Sequence, residues 1–365
     1  MEKKRIVCTV TNDLHFDQRM IRICSSLQAA GYEVTLVGRL RPSSGTLKSQ
    51  TFQQRRLRCF FDKGKFFYVE YNIRLFFFLF FYRTDLICSV DLDTILPGYF
   101  ASLFRKKKRV FDAHELFCEM DEIVSRPMIY RLWKKIERFA MPKFQFGYTI
   151  GEAYANEFNS MYGLKYEIVR NATVLRPLTT KEFTGEYILY QGAVNEGRCF
   201  EFLIPAMKSV SYPLLICGEG NFFEQAKELV KQHELEDRIT FTGYIPPSSL
   251  APLTEKAIIG ITLFSNVGRS NYLSMANRFF DYMHAGIPQL CMNYPEYKSC
   301  NERFELALLI DEPKVEVIAQ ALNSLLSDRN KLLQLRNNAL LAREQYCWQN
   351  EEKKLIQFYQ KIFAN

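Results

Sequence analysis

The chain reads as an α/β protein built from two doubly wound, parallel-sheet domains. Three observations predict this. First, short apolar runs alternate with helical periods from the start: Ile6–Val10 as a strand, Gln18–Ala30 as a helix stopped by Gly31, Glu33–Val37 as a strand. A βαβ opening implies a parallel sheet with helices on its faces. Second, the same alternation begins again at Tyr187, after an aperiodic stretch that holds Pro177 and Gly185. Third, 365 residues suit two domains of ordinary size, and 48% hydrophobic with 24% charged residues describes a globular protein with ample core.

In the first half, Asp85–Val90 and Lys108–Phe111 continue the sheet, with a helix from about Pro97 to Phe104 between them. Arg126–Ala140 follows as a helix, Phe146–Ile150 as a strand, Ala153–Met161 as a helix and Glu167–Val169 as a strand. The expected division is a first domain over 1–171, a linker over 172–186, a second domain over 187–345 and a terminal helix over 346–365. In the second domain Tyr187–Tyr190, Leu214–Cys217, Ile239–Phe241, Ile258–Thr262 and Gln289–Met292 are the expected strands. Helices are expected at about 200–209, 222–232 and 248–255. The tail from Lys314 is helical, and Trp348, Leu355, Ile356, Tyr359 and Ile362 form an apolar stripe with Trp348 as a packing anchor.

The net charge of +8 is unevenly placed. Residues 1–176 hold 29 Lys and Arg against 18 Asp and Glu, and the remainder holds 19 against 22. The first half is therefore suited to an anionic partner: a membrane surface, an anionic acceptor or nucleic acid, although no nucleic-acid-binding module is visible. Ile73–Tyr82 is almost wholly apolar but too short to span a bilayer, which needs about 20 residues. It reads as a buried helix packed on the sheet; the alternative is peripheral membrane contact, aided by the basic residues Arg55, Arg56, Arg58, Lys63 and Lys65. Met1-Glu2-Lys3-Lys4-Arg5 leads into only a short apolar run, so no secretory signal is expected. The ten cysteines form no Cys-x-x-Cys pair, and several, such as Cys8, Cys88 and Cys217, fall in expected strands. They read as reduced core residues of a cytoplasmic protein.

Ligands of such sheets bind beyond the carboxyl ends of the strands, so the strand-end loops matter most. The loop Thr11 to Arg19 lacks Gly-x-Gly-x-x-Gly, which disfavours a dinucleotide site, and Asp17 reads as a helix N-cap. Phe111-Asp112-Ala113-His114-Glu115-Leu116-Phe117-Cys118-Glu119 follows a strand directly. It is no zinc-protease motif, because His-Glu-x-x-His would need His where Cys118 stands. After the first strand of the second half, Gly192 allows close backbone approach and Arg198 can fork onto phosphate. Cys217-Gly218-Glu219-Gly220 and Thr242-Gly243-Tyr244-Ile245-Pro246 end two further strands.

Asn271 to Pro288 organises the rest. Ser274 or Asn277 can cap a helix there, Gly286 and Pro288 stop it, and Phe279, Tyr282 and Met283 give it a core face. A helix start presents unpaired N–H groups and partial positive charge, which suits a diphosphate. Arg278 adds a forked cation, and the Asp281 carboxylate can accept from a ribose. The plain alternative is an amphipathic helix with a solvated Arg–Asp pair.

Asn277-Arg278-Phe279-Phe280-Asp281-Tyr282 with Ala285-Gly286-Ile287-Pro288 resembles the donor-site segment of family 4 glycosyltransferases. Asp112-Ala113-His114-Glu115 resembles the Asp-(Ala or Ser)-His-Glu loop of a bacterial branch of that family. Arg126-Pro127, Trp133, Ile136-Glu137 and Val169-Arg170-Asn171 also fit the branch. The resemblance implies the GT-B fold, two Rossmann-like domains with parallel sheets facing across a cleft, and transfer with retained anomeric configuration. It implies a sugar moved from a nucleotide-diphosphate donor to a glycan or lipid-linked acceptor in cell-surface polysaccharide synthesis, by a metal-independent hexosyltransferase with no cofactor beyond its substrate. The place would be the cytoplasm, with peripheral contact at the inner face of the membrane. His114 and Glu115 take catalytic roles. Gly192, Arg198, Glu219, Tyr244, Ser274, Met275, Ala276, Arg278 and Asp281 hold the donor; Asp17 and Glu119 lie on the acceptor side. In GT-B proteins the terminal helix crosses back to the first domain. The pattern is incomplete: Leu273 stands where many members carry a Glu on the donor sugar, Ala193 where an Arg is expected and Cys199 where a Gly is expected. Asp91-Leu92-Asp93 matches an Asp-x-Asp metal pattern, but the resemblance argues against metal there. Two alternatives stay open: a non-catalytic nucleotide-sugar-binding subunit of this fold, and a nucleotide-sugar epimerase.

Overall fold

The computed structural model describes residues 3–15, 17–178, 183 and 185–364. Met1 and Glu2 of the N-terminal segment, Phe16 of the first strand-end loop, residues 179–182 and 184 of the expected linker and Asn365 of the expected terminal helix lie outside the described residues. The chain forms two units: Met1–Asn171 with Glu351–Asn365, and Ala172–Asn350.

The first unit contains β1 (Arg5–Thr9), α1 (Gln18–Ala29), β2 (Glu33–Leu40), β3 (Gln53–Arg58), α2 (Gly64–Phe81), β4 (Leu86–Val90), α3 (Ile95–Phe104), β5 (Lys108–Ala113), α4 (Asp121–Val124), α5 (Pro127–Ala140), β6 (Gly147–Thr149), α6 (Glu152–Tyr162) and β7 (Glu167–Ile168). Its seven strands run parallel in the order β3-β2-β1-β4-β5-β6-β7. All five residues of β4 are buried, which is why Leu-Ile-Cys-Ser-Val has no polar alternation: helices cover both faces of a parallel sheet. Strand order reverses between β1 and β4, so the loops after these two strands flank a crevice suited to a ligand.

The second unit contains β8 (Tyr187–Gln191), α7 (Phe200–Ala206), β9 (Leu214–Cys217), α8 (Phe223–Gln232), β10 (Ile239–Gly243), α9 (Pro247–Glu255), β11 (Ala257–Thr262), α10 (Arg269–Leu273), α11 (Asn277–Ala285), β12 (Gln289–Met292), α12 (Pro295–Phe304), β13 (Ala307–Ile310), α13 (Val315–Ser327) and α14 (Arg329–Gln345). Its six parallel strands run β10-β9-β8-β11-β12-β13, with the reversal between β8 and β11. α15 (Trp348–Ala364) follows, and its residues from Glu351 belong to the first unit. There Phe358 packs edge-on against Tyr148 at 5.3 Å, and Glu351 accepts from the Arg170 N–H at 2.9 Å.

Three expectations need correction. Arg55, Arg56 and Arg58, read only as basic residues ahead of the Phe-rich segment, lie on a strand absent from the expected elements: β3, an edge strand paired with β2. Charge on an edge strand discourages further pairing, and it hides the apolar alternation that marks strands. The Phe-rich helix is longer than expected and only half buried. Phe67, Tyr71, Leu75 and Leu79 face the core, while Phe66, Ile73, Phe77 and Phe81 are exposed. Asn271–Pro288 is two helices, α10 and α11, broken at 274–276. Ser274 bonds back to the Asn271 carbonyl instead of capping α11, whose N-cap is Ala276 with no side-chain bond. The expected stop is present: Gly286 has φ 68° and closes α11.

α11 is fixed to the sheet by Tyr282. Its hydroxyl accepts from the Gln191 N–H at 3.0 Å and donates to the Leu189 carbonyl at 2.9 Å. Its ring lies over Gly260 of β11, where an added Cβ would stand 2.5 Å from ring carbons, so no larger residue fits there without displacing the helix.

Candidate functional site

In the second unit the predicted donor residues gather at consecutive strand ends. Tyr244 follows β10, Glu219 follows β9, Gly192 and Arg198 follow β8, and Arg278 opens α11. The Tyr244 N–H donates to Glu219 Oε1 at 3.2 Å, and the Val194 N–H donates to the Glu219 carbonyl at 3.1 Å, which ties three loops together. Gly218 has φ +143°, and an added Cβ would stand 1.9 Å from the Gly192 carbonyl oxygen, so only glycine allows this approach.

Arg278 is the centre of this group. Its side chain is buried, with 8% of the residue exposed, and its guanidinium lies 4.3 Å from the Tyr190 ring and 5.0 Å from the Phe264 ring. The Arg198 guanidinium lies 4.3 Å from the same Phe264 ring and donates to Asn271 Oδ1 at 3.3 Å. Two cations therefore share one aromatic support. Arg278 Nη1 is buried and finds no acceptor among the described residues. A buried guanidinium donor without a partner is costly, and an anionic ligand at this point would supply the acceptor. Ala276 donates its N–H to the Tyr297 hydroxyl at 3.0 Å, and Met275 packs in the core, so Met275 offers a ligand only its backbone. Asp281 does not form a surface pair with Arg278. Its Oδ1 accepts from Thr173 at 2.7 Å and its Oδ2 from Gln191 at 3.0 Å, so both oxygens already serve the unit's own structure.

In the first unit His114 directly follows β5. Its Nδ1 lies 2.9 Å from Asp91 Oδ2. Asp91 is itself at the end of β4, at φ 54° and ψ 173°, a conformation that L residues rarely adopt. Burial alone would push the His114 imidazole pKa down; the Asp91 carboxylate outweighs it and raises the value from 6.5 to about 10. His114 is thus a cation at neutral pH, able to donate but not to act as a base. Burial, with the Asp91 charge beside it, pushes the Asp93 carboxyl up to about 7 despite the Thr11 hydroxyl that donates to it at 2.5 Å. The Asp-x-Asp tripeptide is thereby divided, Asp91 turned to His114 and Asp93 to Thr11.

The sign of the His114 shift sets a pH window. A raised folded-state pKa means that the pair's contribution to stability is complete below about pH 6.5 and is lost as pH rises through about 10. By NMR, the His114 imidazole is expected to titrate near pH 10. Asp91→Asn brings the midpoint to 6.5 or below, the direction in which burial drives it. A wild-type midpoint near 6.5 would exclude the ion pair.

Glu115 adjoins His114, and its charge adds to the upward push on the imidazole. Glu119 belongs to another cluster, where Lys134 Nζ lies 3.4 Å from Glu119 and 2.9 Å from Glu137. Asp17 caps α1: Oδ1 accepts from the Met20 N–H at 2.9 Å, and Oδ2 from Asn12 at 2.7 Å. Sequence reasoning missed Phe264 as the shared support and Asp91 as the partner of His114. Both lie within two residues of a strand end beside the reversal in strand order, so the strand-end rule reaches them once sheet order is known. It also missed the ion pair between Arg19 of α1 and Asp112 of β5, 2.7 Å long with 4% and 0% of the side chains exposed.

Comparison with known proteins gives a consistent picture. Residues 177–341 match the family described as Glycosyl transferases group 1. No curated protein matches the sequence. Among solved structures, sucrose-phosphate synthase from Thermosynechococcus elongatus is 17% identical, covers 99% of this chain and 100% of its own, and has a TM-score of 0.83. Anabaena HepE in complex with UDP-glucose is 12% identical, with coverage of 98% and 99% and a TM-score of 0.74. WaaG, a glycosyltransferase involved in lipopolysaccharide biosynthesis, is 14% identical, with coverage of 96% and 98% and a TM-score of 0.70. At these identities the likeness is one of fold. The chain has the GT-B fold of these structures, two Rossmann-like parallel-sheet units, and residues 177–341, within its second unit, match the Glycosyl transferases group 1 model.

Proposed function

We propose that the chain is a retaining glycosyltransferase that moves a hexosyl or N-acetylhexosaminyl unit from a nucleoside-diphosphate sugar to a glycan or lipid-linked acceptor, in cell-surface polysaccharide synthesis at the inner face of the membrane. The observation that carries this reading is Arg278, a buried cation with an unpartnered donor, set beside Arg198 on Phe264 at the β8–β11 reversal. A diphosphate supplies the missing acceptors. Arg198, Arg278 and the first turn of α11 then stabilise charge on the leaving diphosphate, where it develops during transfer. These cations take the place of a metal, so a chelator leaves turnover unchanged. Gly192 and Gly218 let backbone approach the phosphates, and Glu219 and Tyr244 border the nucleotide. In the first unit His114, held cationic by Asp91, donates to the transferring sugar, and Glu115 orients the acceptor hydroxyl. HepE with its UDP-glucose supports a nucleotide-sugar donor, and WaaG supports a surface-glycan acceptor.

A second reading is a nucleotide-sugar-binding subunit without turnover. Leu273 favours it, being buried in α10 at the position where the resembling family contacts the donor sugar. Calorimetric titration with UDP, GDP and ADP, followed by sugar transfer to lipid-linked and free glycans, separates the two. Tight binding of one nucleotide and acceptor-dependent release of it supports the transferase. Binding without transfer supports the second reading, and no binding overturns both.

A further inference from the structure

α2 carries two apolar stripes. One, from Phe67 to Leu79 in steps of four, packs on the first unit's sheet. The other, Phe66, Val69, Ile73, Phe77 and Phe80, recurs at three- and four-residue steps along the outer face, and each of these residues is exposed. Ile73 and Phe77 are each 53% exposed and Phe81 77%. The stripe does not end with its helix. Phe76 meets Phe104 of α3 at 6.2 Å, and Phe100 meets Phe139 of α5 at 6.3 Å, so three helices share one aromatic surface. Ile73, Phe76, Phe77, Leu96, Phe100 and Phe104 line an open groove of about 320 Å³ between α2 and α3. An exposed apolar patch of this extent marks an interaction site.

The charges beside it identify the partner. Lys63 caps the start of α2 and Lys65 lies in its first turn, Arg83 follows the helix, and Lys106 follows α3, all exposed. On α5 the exposed Met128, Leu132 and Phe139 alternate with exposed Arg131, Lys135 and Arg138. The acids are largely turned away: Glu70 is held by Arg74 and by the Phe60 and Phe61 N–H groups, and Glu137 is buried against Lys134; Asp62 and Glu122 stay exposed. A second copy of the chain on a two-fold axis would set these cations against themselves, which is repulsive. Among the described residues no helix is long and apolar enough to cross a membrane, and an outer apolar face flanked by cations is the pattern of a helix that lies in a bilayer interface.

We propose that the outer face of α2, α3 and α5 seats the first unit on an anionic lipid bilayer. Phe66, Ile73, Phe77 and Phe104 enter the acyl boundary, and Lys63, Lys65, Lys106 and Arg131 meet the headgroup phosphates. This deepens the proposed function by giving a lipid-linked acceptor a docking face, and it rests on that reading only for its purpose. Co-sedimentation of the full chain with vesicles of phosphatidylcholine alone, or with about 30% phosphatidylglycerol, tests it. Binding is expected only with the anionic lipid and falls at high salt. Ile73→Ser with Phe77→Ser lowers the partition by about tenfold or more, while melting temperature and nucleotide binding without vesicles stay as in the parent. Lys63→Glu with Lys65→Glu removes the preference for anionic lipid. Equal binding to both vesicles, or a serine variant that binds like the parent, overturns the proposal. So does sedimentation velocity showing a dimer that the serine variant dissolves, which assigns the face to a second copy. Failure of vesicle binding with nucleotide binding intact removes the docking face alone; loss of nucleotide binding alone removes the donor site.

Discussion

Replacing Arg278 by methionine is expected to weaken nucleoside-diphosphate binding strongly and to raise the melting temperature of the unliganded protein. The two effects share one cause. The guanidinium is buried between Tyr190 and Phe264, and Nη1 has no acceptor among the described residues. Without ligand it is a desolvated charge, and an apolar side chain of similar length relieves that cost. With a diphosphate in place the same charge becomes half of a buried, hydrogen-bonded pair. Its removal weakens binding by roughly 2–4 kcal/mol, about 30- to 900-fold. Arg278→Lys keeps charge but loses the planar fork and its stacking, so it falls between parent and methionine variant. Calorimetric titration reads the first effect and thermal melting the second. A methionine variant that binds as well as the parent would falsify the assignment of Arg278 to a phosphate.

Asp112→Ala is expected to destabilise the first unit by about 3–5 kcal/mol, because it leaves Arg19 charged and buried. Arg19 Nη2 donates to Asp112 at 2.7 Å and Nη1 to the Val169 carbonyl at 3.4 Å, so α1, β5 and the segment after β7 meet at this pair. Arg19→Met combined with Asp112→Leu removes both charges and recovers most of the loss, because an apolar pair of similar volume needs no hydrogen-bond partners. Urea unfolding of the single and double variants measures it. A double variant as weak as Asp112→Ala would show that the cost lies in packing, not in the stranded charge.

What was legible in the sequence divides along the same physical lines. β4 and β11 are runs of consecutive buried residues, apolar but for Ser89 and Thr262, so the sheets could be read directly. β3, written Gln-Gln-Arg-Arg-Leu-Arg, could not, because a charged edge strand carries no apolar alternation. α2 was legible as a helix but not in its exposure, since apolar residues on every face leave no polar side to orient it. Arg198 could be singled out because it follows β8 in a recognisable segment, and Arg278 because it lies in the first turn of a recognisable helix. Their common support, Phe264, could not, because it joins them only once β11 is known to lie beside β8. Asp281 shows the reverse case. Its residue type suits a ribose, but its engagement by Thr173 and Gln191 depends on partners about a hundred positions away.

The seating of Tyr282 over Gly260 also bears on how such a site can change over generations. The helix that carries Arg278 is indexed to the sheet by a ring, a glycine and two hydrogen bonds, all buried, so drift there is penalised before any ligand is involved. Tyr244, at the rim of the same group, is half exposed and sits on a loop. On the proposed donor site, heritable variation in nucleotide preference is channelled to the rim, while the proposed phosphate grip is inherited with the fold itself.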